Sequence, residues 1–477
     1  MYPKLTDDLD DLPELLMATR AAAERALTSL DTRPVAARAP EAGAAPTPVA
    51  GIGTAGALTR FEERWAPWFS GSAGPRYFGF VTGGATPASV AGDWLTSAYD
   101  QNAASGGDSA AVDLERETIG WLAELFGLGT EHHGAFVTCA TMSNFVGLAV
   151  AREWLGEQAG ISVTHAGVRA LGRIPVLSAT PHSSVYKALS MLGIGRDELT
   201  LVPVLPEREA VDVDRLAEAL AALDGQPAIV VANAGTVNTV DFDDLRAIAA
   251  LKERFPFWLH VDGAFGAFAA LSPRHRGLVD GLAEADSVCV DLHKWLNVPY
   301  DAAVQFTRRR DLQFAVFKNV AAYLPPPVGE PAYADLTPEN SRRLRALPTW
   351  FSLVAYGREG HQEIVDRTTA LAARLGKRLA GEPKLRLLAP VRLNVVCCTL
   401  ADNPTQERVD TLIRAVTGSG EAVITPTAYH GTPGFRVAFS NWRTTESDVD
   451  RLCTVLTTAA EHVTDKGNPA PADDSPR

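Results

Sequence analysis

The sequence predicts an α/β protein: a mostly parallel seven-stranded sheet covered by helices, with a helical segment before it and a smaller α+β domain after it. Three observations predict this. Seven short runs rich in β-branched and apolar residues alternate with helical patterns between about residues 130 and 310. A proline-rich stretch over 323–338 then interrupts the pattern. The length, 477 residues, exceeds one ordinary core and suits a large domain joined to a small one.

Taken in order, residues 12–30 read as an amphipathic helix with Asp11 as candidate cap and Pro13 in the first turn, where proline is tolerated. An Ala-, Pro- and Gly-rich linker follows over 31–56. It ends in Gly51-Ile52-Gly53-Thr54-Ala55-Gly56, a formal match to a dinucleotide loop. No apolar strand precedes the match and no helical pattern directly follows it, so it reads as a flexible connector. Glu131-His132-His133 lacks a third ligand at helical spacing and reads as solvated surface. The seven strand-like runs lie at 135–138, 174–178, 201–204, 228–232, 257–261, 287–290 and 302–306. After the proline-rich stretch, read as a lid and boundary, come strand-like 392–400 and 435–439 and a helix from about Ser447, capped by Thr444 or Thr445. The polar tail 466–477 reads as disordered. The expected division is a helical segment and linker (1–75), a large domain (76–340), a small domain (341–465) and the tail.

Composition narrows the partners. A hydrophobic content of 46% with 21% charged residues is that of a globular protein. A net charge of -13 disfavours nucleic acid and anionic membrane surfaces, which leaves small molecules as the default ligands. The start of the chain has neither the basic nor the apolar part of a signal peptide, and no stretch approaches the roughly 20 apolar residues of a membrane span. Cys139, Cys289, Cys397, Cys398 and Cys453 form no CxxC pair; together these features predict a cytoplasmic protein without structural disulfides or zinc.

In open parallel sheets ligands bind beyond the carboxyl ends of the strands, so polar residues that follow several strands converge. Here five strands deliver them: Cys139 to Asn144, His182, Asn233 to Thr239, Asp262, and the trio Asp291, His293 and Lys294. The segment Thr138-Cys139-Ala140-Thr141-Met142 opens a helix, whose free N–H groups and dipole suit a phosphate; a capped helix without ligand is the plain alternative. Asp262, carried by an apolar strand into a crevice, needs a cation such as a protonated pyridine nitrogen, or else caps a turn or pairs with an arginine. Lys294, 294 − 262 = 32 residues later, again follows an apolar strand, where a lysine with a lowered pKa forms an imine with an aldehyde. His182 can stack on a flat ring or move a proton, or be a satisfied loop histidine. Phosphate site, carboxylate, lysine and histidine together match the parts of pyridoxal 5'-phosphate.

These residues resemble the pyridoxal-dependent decarboxylases of the aromatic-amino-acid, glutamate and histidine decarboxylase family (group II), over about residues 77–463. The motifs that carry the resemblance are His260-Val261-Asp262-Gly263-Ala264, Asp291-Leu292-His293-Lys294-Trp295, Pro181-His182-Ser183-Ser184-Val185, and Ser341 to Leu347 followed by Trp350. The resemblance implies fold type I and a homodimer with active sites at the subunit interface, its N-terminal helices exchanged. It implies that Lys294 holds the cofactor aldehyde as a Schiff base, Asp262 pairs with the pyridine nitrogen, His182 stacks on the ring, and Thr141 with the Met142 N–H binds phosphate. Asp291, His293 and Thr236 would also line the cofactor. Tyr323, 323 − 294 = 29 residues after the lysine, falls where the family carries a loop tyrosine that helps protonate the intermediate; otherwise it is a tyrosine at the edge of a proline-rich loop.

The tract Phe80-Val81-Thr82-Gly83-Gly84 resembles the family's substrate-entry wall without a tight aromatic clamp, and Arg436 is a candidate carboxylate ligand or a structural arginine. Three departures stand out: Cys139-Ala140-Thr141 in place of Gly-Gly-Thr, Val237 in place of a second threonine, and Asp291 in place of asparagine. The expected activity is decarboxylation of an amino acid to its amine and carbon dioxide. The rivals are oxygen-dependent aldehyde formation, transamination or elimination on the same scaffold, and a catalytically inactive homologue that serves as a binding subunit.

Overall fold

The computed structural model describes residues 1–37, 46–104, 109–319 and 330–465. At its centre lie the most continuous apolar runs, β4 (Ala228–Asn233), β5 (Phe257–Asp262) and β6 (Ser287–Val290). Every residue in them is buried, as expected of strands covered on both faces. Around them lie β1 (His133–Val137), β2 (Val176–Ser178), β3 (Leu199–Leu201) and β7 (Ala303–Thr307), in the order β1-β7-β6-β5-β4-β2-β3. β7 runs antiparallel to β1 and β6, and the other pairings are parallel. All seven expected runs therefore join one mixed sheet. The third is displaced: the ladder is made by Leu199–Leu201 and stops short of Pro203, which has no N–H to donate.

A second, antiparallel sheet contains β8 (Leu385–Leu387), β9 (Val395–Leu400), β10 (Thr425–Tyr429) and β11 (Thr432–Ala438) in the order β10-β11-β9-β8. Helices Ala346–Leu379, Gln406–Gly418 and Glu446–Asp465 belong to the same region. Its own core includes Leu375, Leu412, Phe435 and Leu456, all fully buried. Each such side chain contributes about 1.5–3 kcal/mol, so this sheet does not depend on the larger one for its hydrophobic centre. Thr445 stands at the start of the last helix, where its N–H and hydroxyl both donate to Asp448, at 2.9 and 2.7 Å. Thr444 turns instead to the Pro75 carbonyl.

Residues 70–85 precede the large sheet in the chain but are built into the small one. The Phe78 N–H donates to the Val423 carbonyl, the Ala438 N–H donates to the Phe78 carbonyl, and the Phe78 ring lies 5.1 Å from that of Phe439. This segment acts as a strap between the two sheets.

The N-terminal segment differs from expectation in two ways. The expected helix is Leu12–Thr28, but Asp11 makes no side-chain cap, because it ends a preceding helix, Pro3–Asp10, with a backbone (φ −93°, ψ 12°) outside the extended conformation of a cap. The linker ends earlier than expected, since Gly53–Arg64 is helical. The Asp8 carboxylate accepts from the Thr54 N–H and hydroxyl, so a protein carboxylate holds the helix start that the glycine pattern suggested for a dinucleotide. His132 is not surface but buried, its ring nitrogens 3.0 Å from the carbonyls of Leu128 and Ala285, while His133 is exposed. No helix among the described residues is long and apolar enough to cross a membrane.

Candidate active site

The strand ends of the large sheet and the strap enclose a cavity of about 500 Å³ whose lining includes His182, Asp262, His293 and Lys294. Lys294 sits in a single turn, Leu292–Trp295, that leaves β6. Leu292 and Trp295 anchor this turn in the core, and the Trp295 indole donates to Thr368 at 3.0 Å. Lys294 Nζ lies 3.5 Å from Asp291 Oδ2 and 5.5 Å from the centre of the Phe265 ring. Asp291, buried, also meets His293 Nε2 at 3.0 Å and accepts from the Ala140 N–H at 3.3 Å. The charge that departs from the family's asparagine is thus tied to the lysine, the histidine and the helix that follows β1.

That helix, Ala140–Gln158, begins after an extended Cys139. Its Ala140 N–H is taken by Asp291 and its Ser143 N–H by the Cys139 carbonyl. Thr141 and Met142 keep N–H groups without a protein acceptor among the described residues, at the positive end of a 19-residue helix. This is the donor set a phosphate needs.

Asp262 closes β5 and is 6% exposed. Its carboxylate accepts from Asn144 Nδ2 at 2.9 Å and from the Ala264 N–H at 3.1 Å, and no cation lies within ion-pair distance of it among the described residues. A buried carboxylate with two neutral donors and no counter-charge fits a protonated ring nitrogen. His182 caps the helix Ser183–Met191, its Nδ1 2.8 Å from Ser184 Oγ. Its ring opens into the cavity, yet the surrounding walls still press its pKa below the ordinary value; Lys294 and Arg436 add to this and Asp262 opposes it.

Among the sequence candidates, Phe80, Thr82 and Arg436 also line the cavity. Phe80 has a left-handed backbone (φ 57°), fixed where its N–H donates to Thr425 Oγ1 at 2.5 Å. Gly83 lies against the lysine turn, with its N–H on the His293 carbonyl; a Cβ there would fall 1.9 Å from the Lys294 carbonyl oxygen. Arg436, 7% exposed on β11, donates Nη1 to the Val237 carbonyl at 2.5 Å. Its Nε has no partner and no carboxylate pairs with it among the described residues, while burial lowers its pKa.

Thr236 does not line this cavity. Its hydroxyl is spent on the buried Glu209, at 2.5 Å. Tyr323 lies outside the described residues, as do the rest of 323–329 in the proline-rich stretch and the tail 466–477. Sequence reasoning missed Tyr77 and Tyr300, which line the cavity, the second with its ring 4.3 Å from that of His293. It gave Asn144 no role of its own, though a polar residue on the buried face of an otherwise apolar helix was a signal. Glu209 carried no such signal, because its loop follows an edge strand.

Residues 61–401 match the family model described as the pyridoxal-dependent decarboxylase conserved domain. The chain is 28% identical over 408 residues to an aromatic-L-amino-acid decarboxylase of Bacillus atrophaeus, covering 82% of each chain. It is 26% identical over 394 residues to an L-2,4-diaminobutyrate decarboxylase of Acinetobacter baumannii, covering 78% of this chain and 77% of that one. Among solved structures, Oryza sativa TDC with PLP and tryptamine superposes with a TM-score of 0.88 at 23% identity, over 95% of this chain and 98% of that one, a likeness of fold.

Proposed function

This chain belongs to the pyridoxal-dependent decarboxylase family, and from that premise we propose that its cavity removes the carboxylate of a free amino acid by means of Lys294, Asp262 and His182. It is a carboxy-lyase of fold type I that uses pyridoxal 5'-phosphate. The observation that carries the site assignment is that Lys294 Nζ shares one cavity with the Asp262 carboxylate, which has no counter-charge among the described residues, beside a helix start whose first N–H groups have no protein acceptor there.

In this reading Thr141 and Met142 hold the phosphate, and Lys294 offers the amine that receives the aldehyde. Bound there, the cofactor supplies an electron-withdrawing ring. Asp262 keeps a proton on the ring nitrogen, and Asn144 keeps Asp262 in place. Arg436, buried and without a counter-ion among the described residues, orients the substrate by a charge-assisted hydrogen bond to a carboxylate. Asp291 holds Lys294 while substrate enters. The candidates for returning a proton to the product carbon are Tyr323 and His182. Beside Phe80 the cavity lining carries the small polar residues Ser70, Ser72 and Thr82, which supports a substrate not limited to a tightly clamped aromatic ring.

The assembly read for the chain is a homodimer. Leu5, Leu9, Leu16 and Met17 on the first two helices, with Trp65, Phe69, Trp94 and Tyr99, all expose apolar area that a second copy would cover. All five cysteines are unpaired, which supports a reducing, cytoplasmic setting.

The test is a panel of amino acids incubated with protein and pyridoxal phosphate, read by mass spectrometry, together with borohydride reduction. Amine and carbon dioxide in equal amounts, with a reduced adduct on Lys294, are expected. Peroxide with ammonia, or a keto acid, overturns decarboxylation, and no adduct overturns the role of Lys294.

A further inference from the structure

Beneath the cavity floor runs an unbroken chain of hydrogen bonds from Trp258 to His182. The Trp258 indole donates to Ser287 Oγ at 2.9 Å, and Ser287 Oγ lies 2.7 Å from His260 Nδ1. His260 Nε2 lies 2.9 Å from Asn144 Oδ1. Asn144 Nδ2 is shared between Asp262 Oδ2 at 2.9 Å and Ser184 Oγ at 3.0 Å. Ser184 Oγ lies 2.8 Å from His182 Nδ1, which the Ser184 N–H also approaches at 3.3 Å. Trp258, Ser287, His260, Asn144 and Ser184 are all buried. Gly147 makes room for this path, since a Cβ there would meet His260 Cε1 at 2.6 Å.

The direction of every bond follows from three groups with a single possible role. An indole N–H and a backbone N–H only donate, and an ionised carboxylate only accepts. Asp262 therefore requires the NH2 of Asn144, so Asn144 Oδ1 faces His260 and makes His260 Nε2 the donor. His260 Nδ1 is then the acceptor, served by the Ser287 hydroxyl, which in turn accepts from Trp258. At the other end the Ser184 N–H, which can only donate, approaches His182 Nδ1 at 3.3 Å and makes it an acceptor, so Ser184 Oγ, which accepts from Asn144, turns its own proton to the same nitrogen. Reversing the amide of Asn144 would set its oxygen against the carboxylate of Asp262.

We propose that this relay locks His182 as the neutral tautomer with its proton on Nε2, and that Asn144 and Ser184 are positioning residues that set it. Burial reinforces the lock: it pushes His260 down to about 4 and lowers His182 as well. The charged groups that face His182 oppose one another, Asp262 and Asp291 favouring a proton, Lys294 and Arg436 disfavouring it. What the tautomer does in the cavity rests on the proposed reaction. There, the neutral His182 offers substrate a hydrogen-bond donor and is a weaker general acid than an imidazolium.

The experiment is proton–nitrogen correlation NMR on holoprotein carrying nitrogen-labelled histidine, in which protonated and bare ring nitrogens are distinct. At neutral pH both His182 and His260 are expected to carry their proton on Nε2 and leave Nδ1 bare. Ser184→Ala should give His182 a mixture of tautomers and raise its pKa by about one unit, the worth of one lost hydrogen bond. Ser184→Thr should restore the parent spectrum. A His182 with its proton on Nδ1, a cationic His182 at neutral pH, or a spectrum unmoved by Ser184→Ala overturns the proposal. The measurement needs no turnover, so a failed relay leaves decarboxylation standing, and absent decarboxylation leaves the tautomer standing.

Discussion

The floor of the cavity and its entrance are built on opposite principles. On the floor, Asp262 and Asn144 sit on adjoining strand and helix, and the carboxylate is fixed by two neutral donors at 2.9 and 3.1 Å. At the entrance, Phe80 is largely exposed, and Arg436 reaches in from the other sheet to meet one backbone carbonyl. The floor is rigid because its groups satisfy one another within a dense sheet. The entrance is assembled from segments far apart in the chain. Such a division suits a protein whose cofactor stays constant while its substrates come and go.

The comparison is broken most severely at Asp262. In the proposed reaction Asp262→Asn removes the charge that would hold the ring proton, and kcat should fall about 10²- to 10³-fold, as for the loss of one preorganised electrostatic group. Steady-state rates with the preferred amino acid measure this, and a fall of under threefold would refute the assignment. The next largest effect is acid sensitivity of the floor. Burial pushes His260 down to about 4, below the roughly 6.5 of an unfolded histidine. As pH falls from about 6.5 to about 4 the unfolded chain binds a proton that the native one refuses, so up to about 3 kcal/mol of stability is lost. Denaturant titrations across that window should show the loss, and His260→Gln should flatten it. The smallest effect belongs to the entrance. Arg436→Gln should raise KM about ten- to a hundred-fold, since in the proposed reaction it deletes a charged hydrogen bond to the bound substrate's carboxylate.

The same contrast explains what was legible in the sequence. The floor was, because apolar runs such as FWLHV end abruptly in a polar residue and the strand-end rule places that residue in the crevice. Asp262, Lys294, His293 and His182 follow from that logic, and all line the cavity. Thr236 satisfied the same rule and failed, because its neighbour across the loop is a buried carboxylate that takes its hydroxyl. The entrance was less legible. Tyr300 lies six residues beyond Lys294 in no recognisable pattern, and the pairing of Phe78 with Val423 and Ala438 is a contact no local periodicity encodes. The helix Gly53–Arg64 was hidden by its own glycines, which lower helix propensity until packing outweighs it.

The strap also sets a timetable. Phe78 leaves the ribosome early, but its backbone partner Ala438 is 438 − 78 = 360 residues downstream. At synthesis rates of about 5–20 residues per second that is about 20 to 70 seconds of waiting, during which the Phe78 carbonyl and ring lack their partners Ala438 and Phe439. The cavity is therefore one of the last parts of the molecule to close, and a chain truncated before β11 would carry the lysine, the aspartate and the histidine without a wall to hold anything against them.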